Sequence, residues 1–262
     1  MDFLNAKNST TAYRKFLKEN PDFDRDTIEQ LTSSQKSMDF YPTPEHCLDY
    51  EPITDCINTS THILEPTAGL GSMVHFIEKH KSAKTKVDIN ELNRRFIPIL
   101  EKFFPKAKVT QKNFLDDFPT KNNYDLILCN PPFRIGNDKK AYLDFLFKCI
   151  YMLNTSSSSK REKCLIFICP LLADKGRNWK AGEFNGFDFL DVMKKISFDK
   201  MNKLSKMLQD KELDKKQYKA FQQGEEYEDM EMLMPYQSEW ADECKGFGGT
   251  DATAHVYKFI LL

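Results

Sequence analysis

Asn130, Pro131, Pro132 and Phe133 close the stretch YDLILCNPPF, residues 124–133, where an apolar run meets two prolines. Proline has no N–H to donate, so a sheet ladder stops here. One reading is that Asn-Pro turns the chain after a strand. The other is chemical. A planar amine conjugated to a ring is a poor nucleophile, because its lone pair is delocalised. A protein activates it by accepting both N–H hydrogens at positions that favour a pyramidal nitrogen. The Asn130 side-chain oxygen and the Pro131 carbonyl are such acceptors, and neither changes protonation near pH 7. Pro131 and Pro132 fix two φ angles and hold that carbonyl in place. Phe133 offers a stacking face for a base withdrawn from its helix, worth about 1–3 kcal/mol.

A second set of residues precedes this tip. HILEPTAGLGSM, residues 62–73, puts Glu65-Pro66 at a strand end, then Gly69-x-Gly71, then a helix. Glycines allow a sharp turn and a close backbone approach to a ligand. In a dinucleotide site a third glycine follows and the helix end holds a pyrophosphate. Here Val74 takes the third position, and Glu65 would repel phosphate and attract a cation. Asp88 ends the next strand, where an acid can accept hydrogen bonds from ribose hydroxyls. A positively charged nucleoside without phosphates suits both acids, which points to S-adenosyl-L-methionine as the cofactor.

These residues need a frame to hold them. From about residue 61, short apolar or β-branched runs alternate with helical stretches. Strands are expected at 62–66, 85–90, 107–111, 124–130 and 164–170, and helices at 72–82, 91–103 and 139–153. Such alternation implies an α/β fold whose parallel sheet is covered on both faces. Residues 1–38 read as a polar helical segment broken at Pro21, and 39–170 as the core. Residues 171–250 lose the alternation. Phe189, Met193, Ile196, Met201, Leu204 and Leu208 recur there at helical spacing, so a helical insertion is expected. Lys194 to Lys219 holds nine lysines against four acids, then EEYEDME (225–231) reverses the sign. That basic run is either a solvated face or a phosphate contact. Residues 251–262, with AHVYKFILL, return to strand character at the sheet edge or just inside it.

The 262 residues carry a net charge of −1, so nucleic acid would have to be drawn by a local patch rather than a global field. Seven cysteines without a CxxC pair give no metal spacing and read as reduced, structural thiols. The longest apolar run, CLIFICPLLA, is too short to span a bilayer, and no secretory signal opens the chain. A cytoplasmic or nuclear location without membrane association is the expectation. Nothing in the sequence sets the oligomeric state.

In this order the motifs resemble the class I S-adenosylmethionine-dependent methyltransferases of the N6-adenine, amino-group branch. FYPTP (40–44), LEPTAGLG (64–71), VDIN (87–90), NFLDDF (113–118) and NPPF (130–133) look like its motifs X, I, II, III and IV. The likeness covers residues 38–170 and the last strand. It implies a Rossmann-like, seven-stranded, mostly parallel sheet with a reversed final hairpin. By the resemblance, Glu65, Thr67, Gly69 and Gly71 surround the methionine moiety and Asp88 binds the ribose. Asn113 and Phe114 take the adenine-contacting positions, where the family more often has Asp in place of Asn113. Tyr41 and Thr43 belong to a segment that closes over the methionine end.

The function so implied is methylation of the N6 amine of adenine in DNA, FYPTP being the feature that favours DNA. The insertion would recognise the target, with KGRNWK (175–180) contacting phosphate and Trp179 either stacking at the site or packing in the core. RNA adenine methylation is the alternative, since the same tip serves several planar nitrogens. A third reading, a silent methyltransferase-like scaffold, sits poorly with intact Glu65, Gly69, Gly71, Asp88 and Asn130-Phe133.

Overall fold

The computed structural model describes residues 43–172, 184–225, 233–244 and 254–262, together with helical Lys15, Lys18 and Glu19. Tyr41, KGRNWK with Trp179, and nearly all of EEYEDME lie outside the described residues, as does most of the N-terminal segment.

Eight strands form one sheet in the order β3-β2-β1-β4-β5-β8-β7-β6. They are β1 His62–Glu65, β2 Lys86–Asn90, β3 Lys108–Thr110, β4 Leu126–Cys129, β5 Lys163–Cys169, β6 Asn185–Gly186, β7 Gln237–Cys244 and β8 Ala254–Leu261. The first five are parallel, and β8 runs antiparallel between β5 and β7. This is an α/β fold with a mostly parallel sheet, as expected, with β8 just inside rather than at the edge. The count is eight strands rather than seven, because two-residue β6 pairs with β7 at the far edge.

Period-two alternation sorts the strand residues to two cores. Leu126, Leu128, Cys164, Ile166, Ile168, Ala254 and Val256 face one apolar cluster, with helices α1 Glu51–Thr59 and α2 Ser72–His80. Helix α3, Ile97–Phe103, adds Leu100 to that face. Ile127, Cys129, Leu165, Phe167, Cys169, Tyr257, Phe259 and Leu261 face the other, covered by α4 Tyr142–Asn154. Burial on both faces explains why β4 and β5 read as unbroken apolar runs.

Helices α5 Phe189–Lys194, α6 Phe198–Gln209 and α7 Lys215–Gln222 pack into that second cluster. Phe189, Met193, Ile196, Met201, Leu204 and Leu208 are all buried, as their spacing predicts. Asp188, Ser197 and Asp214 cap the three N-termini through side-chain oxygens. Four of the cysteines, Cys129, Cys149, Cys164 and Cys169, are buried free thiols and Cys56 is half-buried. Cys47 is disulfide-bonded, which departs from the all-thiol expectation. Among the described residues no helix is long and apolar enough to cross a membrane.

The chain runs outward from β1 to β2 and β3, then returns to β4 on the other side of β1. Ligands of open α/β sheets bind at such a switch point, beyond the strand C-termini. Both chemical motifs of the sequence leave the sheet there.

Candidate active site

The turn after β1 is held from its neighbour strand. Asn90, at the end of β2, accepts from Ala68 N–H through its backbone oxygen at 3.0 Å. Its side-chain Nδ2 donates to Pro66 O at 3.0 Å and to Lys112 O at 3.1 Å. Gly69 N–H donates to Glu91 Oε2 at 2.7 Å. Gly69 and Gly71 both take positive φ, +56° and +88°, which L side chains adopt at a cost. Gly71 has a further reason to be glycine. A Cβ there would lie 2.4 Å from Phe104 Cε2, so α3 packs against the bare backbone.

Inside this turn sits Glu65, fully buried. Its Oε1 accepts from Thr67 N–H and from Thr67 Oγ1, each at 3.2 Å. Its Oε2 is buried without a hydrogen-bond partner. Burial pushes the carboxyl well above the usual carboxylate range, and the charge of Glu91 adds to the rise. Glu91 is itself pushed up by burial. Glu91 is satisfied by backbone N–H groups, but Glu65, shielded from water with one oxygen orphaned, is poorly satisfied alone and suits a cation. The ammonium and sulfonium charges of S-adenosylmethionine fit that deficit, while a phosphate does not.

The tip at the end of β4 is tied to this turn. Thr67 Oγ1 lies 3.3 Å from Asn130 O, so its single proton is shared between that carbonyl and Glu65. Asn130 Nδ2 donates to Thr43 Oγ1 at 3.0 Å, and Thr43 N–H donates to Ser72 Oγ at 3.1 Å. Thr43 therefore bridges the tip to the first residue of α2. Pro131 is buried, whereas Pro132 and Phe133 are half-buried. The Phe133 ring meets Tyr142 edge-on, with centroids 6.3 Å apart and planes at 77°. This locks the ring's position and leaves part of its surface at the tip. Thr43, Glu65, Thr67, Gly69, Gly71 and Asn130 to Phe133 are thus brought together.

Three expected cofactor residues are placed differently. Asp88 pairs with Leu64 in the ladder, two residues short of the end of β2. Its Oδ1 lies 3.2 Å from His62 Nε2 and its Oδ2 accepts from Tyr124 O–H at 2.8 Å. Burial opposes its ionisation, but the His62 and Tyr124 hydrogen bonds outweigh it and hold the carboxyl below its ordinary value. Phe114 is a core residue, its ring stacked on Phe145 at 11° with Lys148 Nζ 5.2 Å from the centroid. Asn113 shapes the loop after β3, accepting from Leu115 N–H at 3.1 Å and donating to Asp116.

The acid that does reach the glycine turn is Glu91, which the sequence reading missed. Ladder register was the available signal. Glu65 pairs with Ile89, so Glu91 stands level with Thr67 beyond the last paired residue. Its Oε1 also accepts from Asn93 N–H at 2.7 Å, and Asn93 Oδ1 from Arg95 N–H at 3.1 Å. These local bonds delay α3 to Ile97, although helix was expected from 91.

Residues 53–156 match the family model described as the methyltransferase small domain. Among solved structures, a SAM-dependent methyltransferase from Aquifex aeolicus is similar at 11% identity and TM-score 0.41, covering 92% of this chain and all of that one. TrmN from Thermus thermophilus is similar at 9% identity and TM-score 0.40, covering 80% of this chain and 48% of that one. Likeness at that level says nothing about substrate. No curated protein sequence matches the chain. The matched stretch holds β1 to β4, the glycine turn and the Asn-Pro-Pro-Phe tip.

Proposed function

We propose that the protein methylates the exocyclic N6 amine of adenine in DNA, using S-adenosylmethionine. One observation carries this reading. Thr67 spans the distance between the cation-seeking Glu65 carboxyl and the Asn130 carbonyl, 3.2 and 3.3 Å from its hydroxyl. Cofactor pocket and amine-holding tip are therefore adjacent, with no acid or base interposed at the tip among the described residues.

When bound, the cofactor supplies a methyl group activated by a sulfonium. Glu65 would face its ammonium and Glu91 its ribose hydroxyls, the role that the resemblance gives to Asp88. Asn130 and the Pro131 carbonyl accept the amine hydrogens, which favours a pyramidal nitrogen. Because Nδ2 of Asn130 is engaged by Thr43, the amide presents Oδ1 as its acceptor. Phe133 supports the plane of the base. The amine proton leaves to solvent after transfer, so no general base is needed.

The test combines radiolabelled cofactor with equal amounts of duplex DNA, RNA and protein extract, followed by digestion and nucleoside mapping. N6-methyldeoxyadenosine is the expected product; label in N6-methyladenosine of RNA, or in protein, would refute the DNA assignment. Asn130→Ala should lower transfer by at least about a hundredfold while cofactor binding stays near normal.

A further inference from the structure

The loop after the Asn-Pro-Pro-Phe tip is fixed from three directions. Ile135 and Asp138 exchange both backbone hydrogen bonds, at 3.1 and 3.0 Å. Arg134 Nε donates to Gly136 O at 2.7 Å, and Lys140 N–H donates to Asp138 Oδ1 at 2.9 Å. From the protein side, Lys200 of α6 donates to Asp138 Oδ2 at 2.7 Å, and its Nζ lies 2.5 Å from Asp144 Oδ1. Asp144, on α4, is 1% exposed and also pairs with Lys203 at 2.8 Å.

This arrangement sets where the positive charge is available. Lys200 and Lys203 are engaged with acids of the fold, so they are not the free phosphate contacts that a basic helix suggests. The loop's one acid, Asp138, is neutralised by Lys200 from beneath. What residues 134–140 turn outward is then Arg134, Lys139 and Lys140, all exposed, beside Ile135 at 48% exposure. Three cations and one apolar side chain stand on a hairpin that starts one residue after Phe133.

We propose that residues 134–140 form the rim that receives the acceptor strand. Lys139, Lys140 and Arg134 contact phosphates flanking the target nucleotide, and Ile135 packs against the base next to it. This rests on the reading of the tip as a base-methylating site. Phosphate contacts fix register without reading sequence, which suits a loop rigidly joined to the tip. An apolar side chain beside an extruded base covers the neighbour's exposed face, as wedge residues do. An acidic protein would satisfy the cations but would leave Ile135 beside the tip without a flat partner.

The test is binding without cofactor, by fluorescence anisotropy of labelled single-stranded DNA and RNA oligonucleotides and of an acidic peptide, across a salt series. The double variant Lys139→Glu, Lys140→Glu should raise the oligonucleotide Kd by at least about tenfold near 0.15 M salt. The milder pair Lys139→Ala, Lys140→Ala should reduce the logarithmic salt slope by roughly 1.4. Ile135→Ala should weaken oligonucleotide binding while leaving that slope unchanged. All these side chains are exposed, and thermal melts of each variant verify the fold. An unchanged slope in both lysine pairs, or tighter binding of the peptide than of either oligonucleotide, would overturn the proposal. Binding with these slopes but without methyl transfer would support the rim and refute the function. Transfer to a nucleic acid with unaltered slopes would do the reverse.

Discussion

Thr43 and Asn130 lie 87 residues apart in sequence, yet the Asn130 amide nitrogen donates to the Thr43 hydroxyl at 3.0 Å. The bond sets which end of the amide faces the acceptor. Thr43→Val keeps the shape and removes the hydroxyl, so the amide loses its orientation. We expect kcat to fall about tenfold or more with cofactor affinity nearly unchanged. Thr43→Ser should restore most of the rate. A loss in Thr43→Ser with little loss in Thr43→Val would show that the methyl, and hence packing, is what matters.

Glu91 and Asp88 separate in the same kind of experiment. Glu91→Gln leaves the turn hydrogen bond possible but removes a charged acceptor, and should weaken cofactor binding by roughly tenfold. Asp88→Asn should leave cofactor affinity unchanged and cost about 1–3 kcal/mol of stability, because it disturbs the His62 and Tyr124 contacts. Calorimetric titration and denaturant unfolding of both variants decide it. A loss of cofactor affinity in Asp88→Asn would return the ribose role to that residue.

The contrast shows what a linear motif carries. β4 and β5 were legible because burial on both faces leaves continuous apolar runs, and the tip was legible because two prolines end the ladder. The helical spacing from Phe189 to Leu208 marked its buried face for the same reason. VDINELN contains two acids three residues apart, and only ladder register tells which one clears the strand end. Phe114 was read by position alone, although an aromatic after a strand is as easily a core residue. β7 escaped because QSEWADEC shows neither alternation nor a β-branched run. Its place in the sheet comes from pairing with β8, which sequence periodicity does not report.

Glu65 makes cofactor binding depend on pH. In the folded chain burial holds its proton at a pH where an unfolded chain has released it. Its contribution to stability is therefore fully present below the ordinary glutamate pKa and is lost as pH rises through the folded value. A cationic ligand favours the ionised form, so binding should release a proton. Affinity should rise with pH until Glu65 ionises unaided. Titration calorimetry in buffers of differing ionisation enthalpy measures the release directly. Glu65→Gln should abolish it, weaken cofactor binding and raise the stability of the free protein at alkaline pH. Proton release that persists in Glu65→Gln would assign the linkage to Glu91 instead.

Gly71 tests whether the glycine turn serves the ligand or the fold. Its φ of +88° would cost an alanine about 1–3 kcal/mol. The added Cβ would also meet Phe104 Cε2 at 2.4 Å and Leu100 Cδ2 at 3.2 Å, an overpacking cost of about 1–3 kcal/mol. Gly71→Ala should therefore lower the melting temperature by roughly 5–15 °C before any cofactor is added. Phe104→Leu removes the ring that the Cβ would strike, so the double variant should lose less than the sum of the two single losses. Strictly additive losses would show that Phe104 yields readily and that the conformation alone demands glycine. An unchanged melting temperature with weakened cofactor binding would mean that the turn is shaped for the ligand, and that α3 packs against it only incidentally.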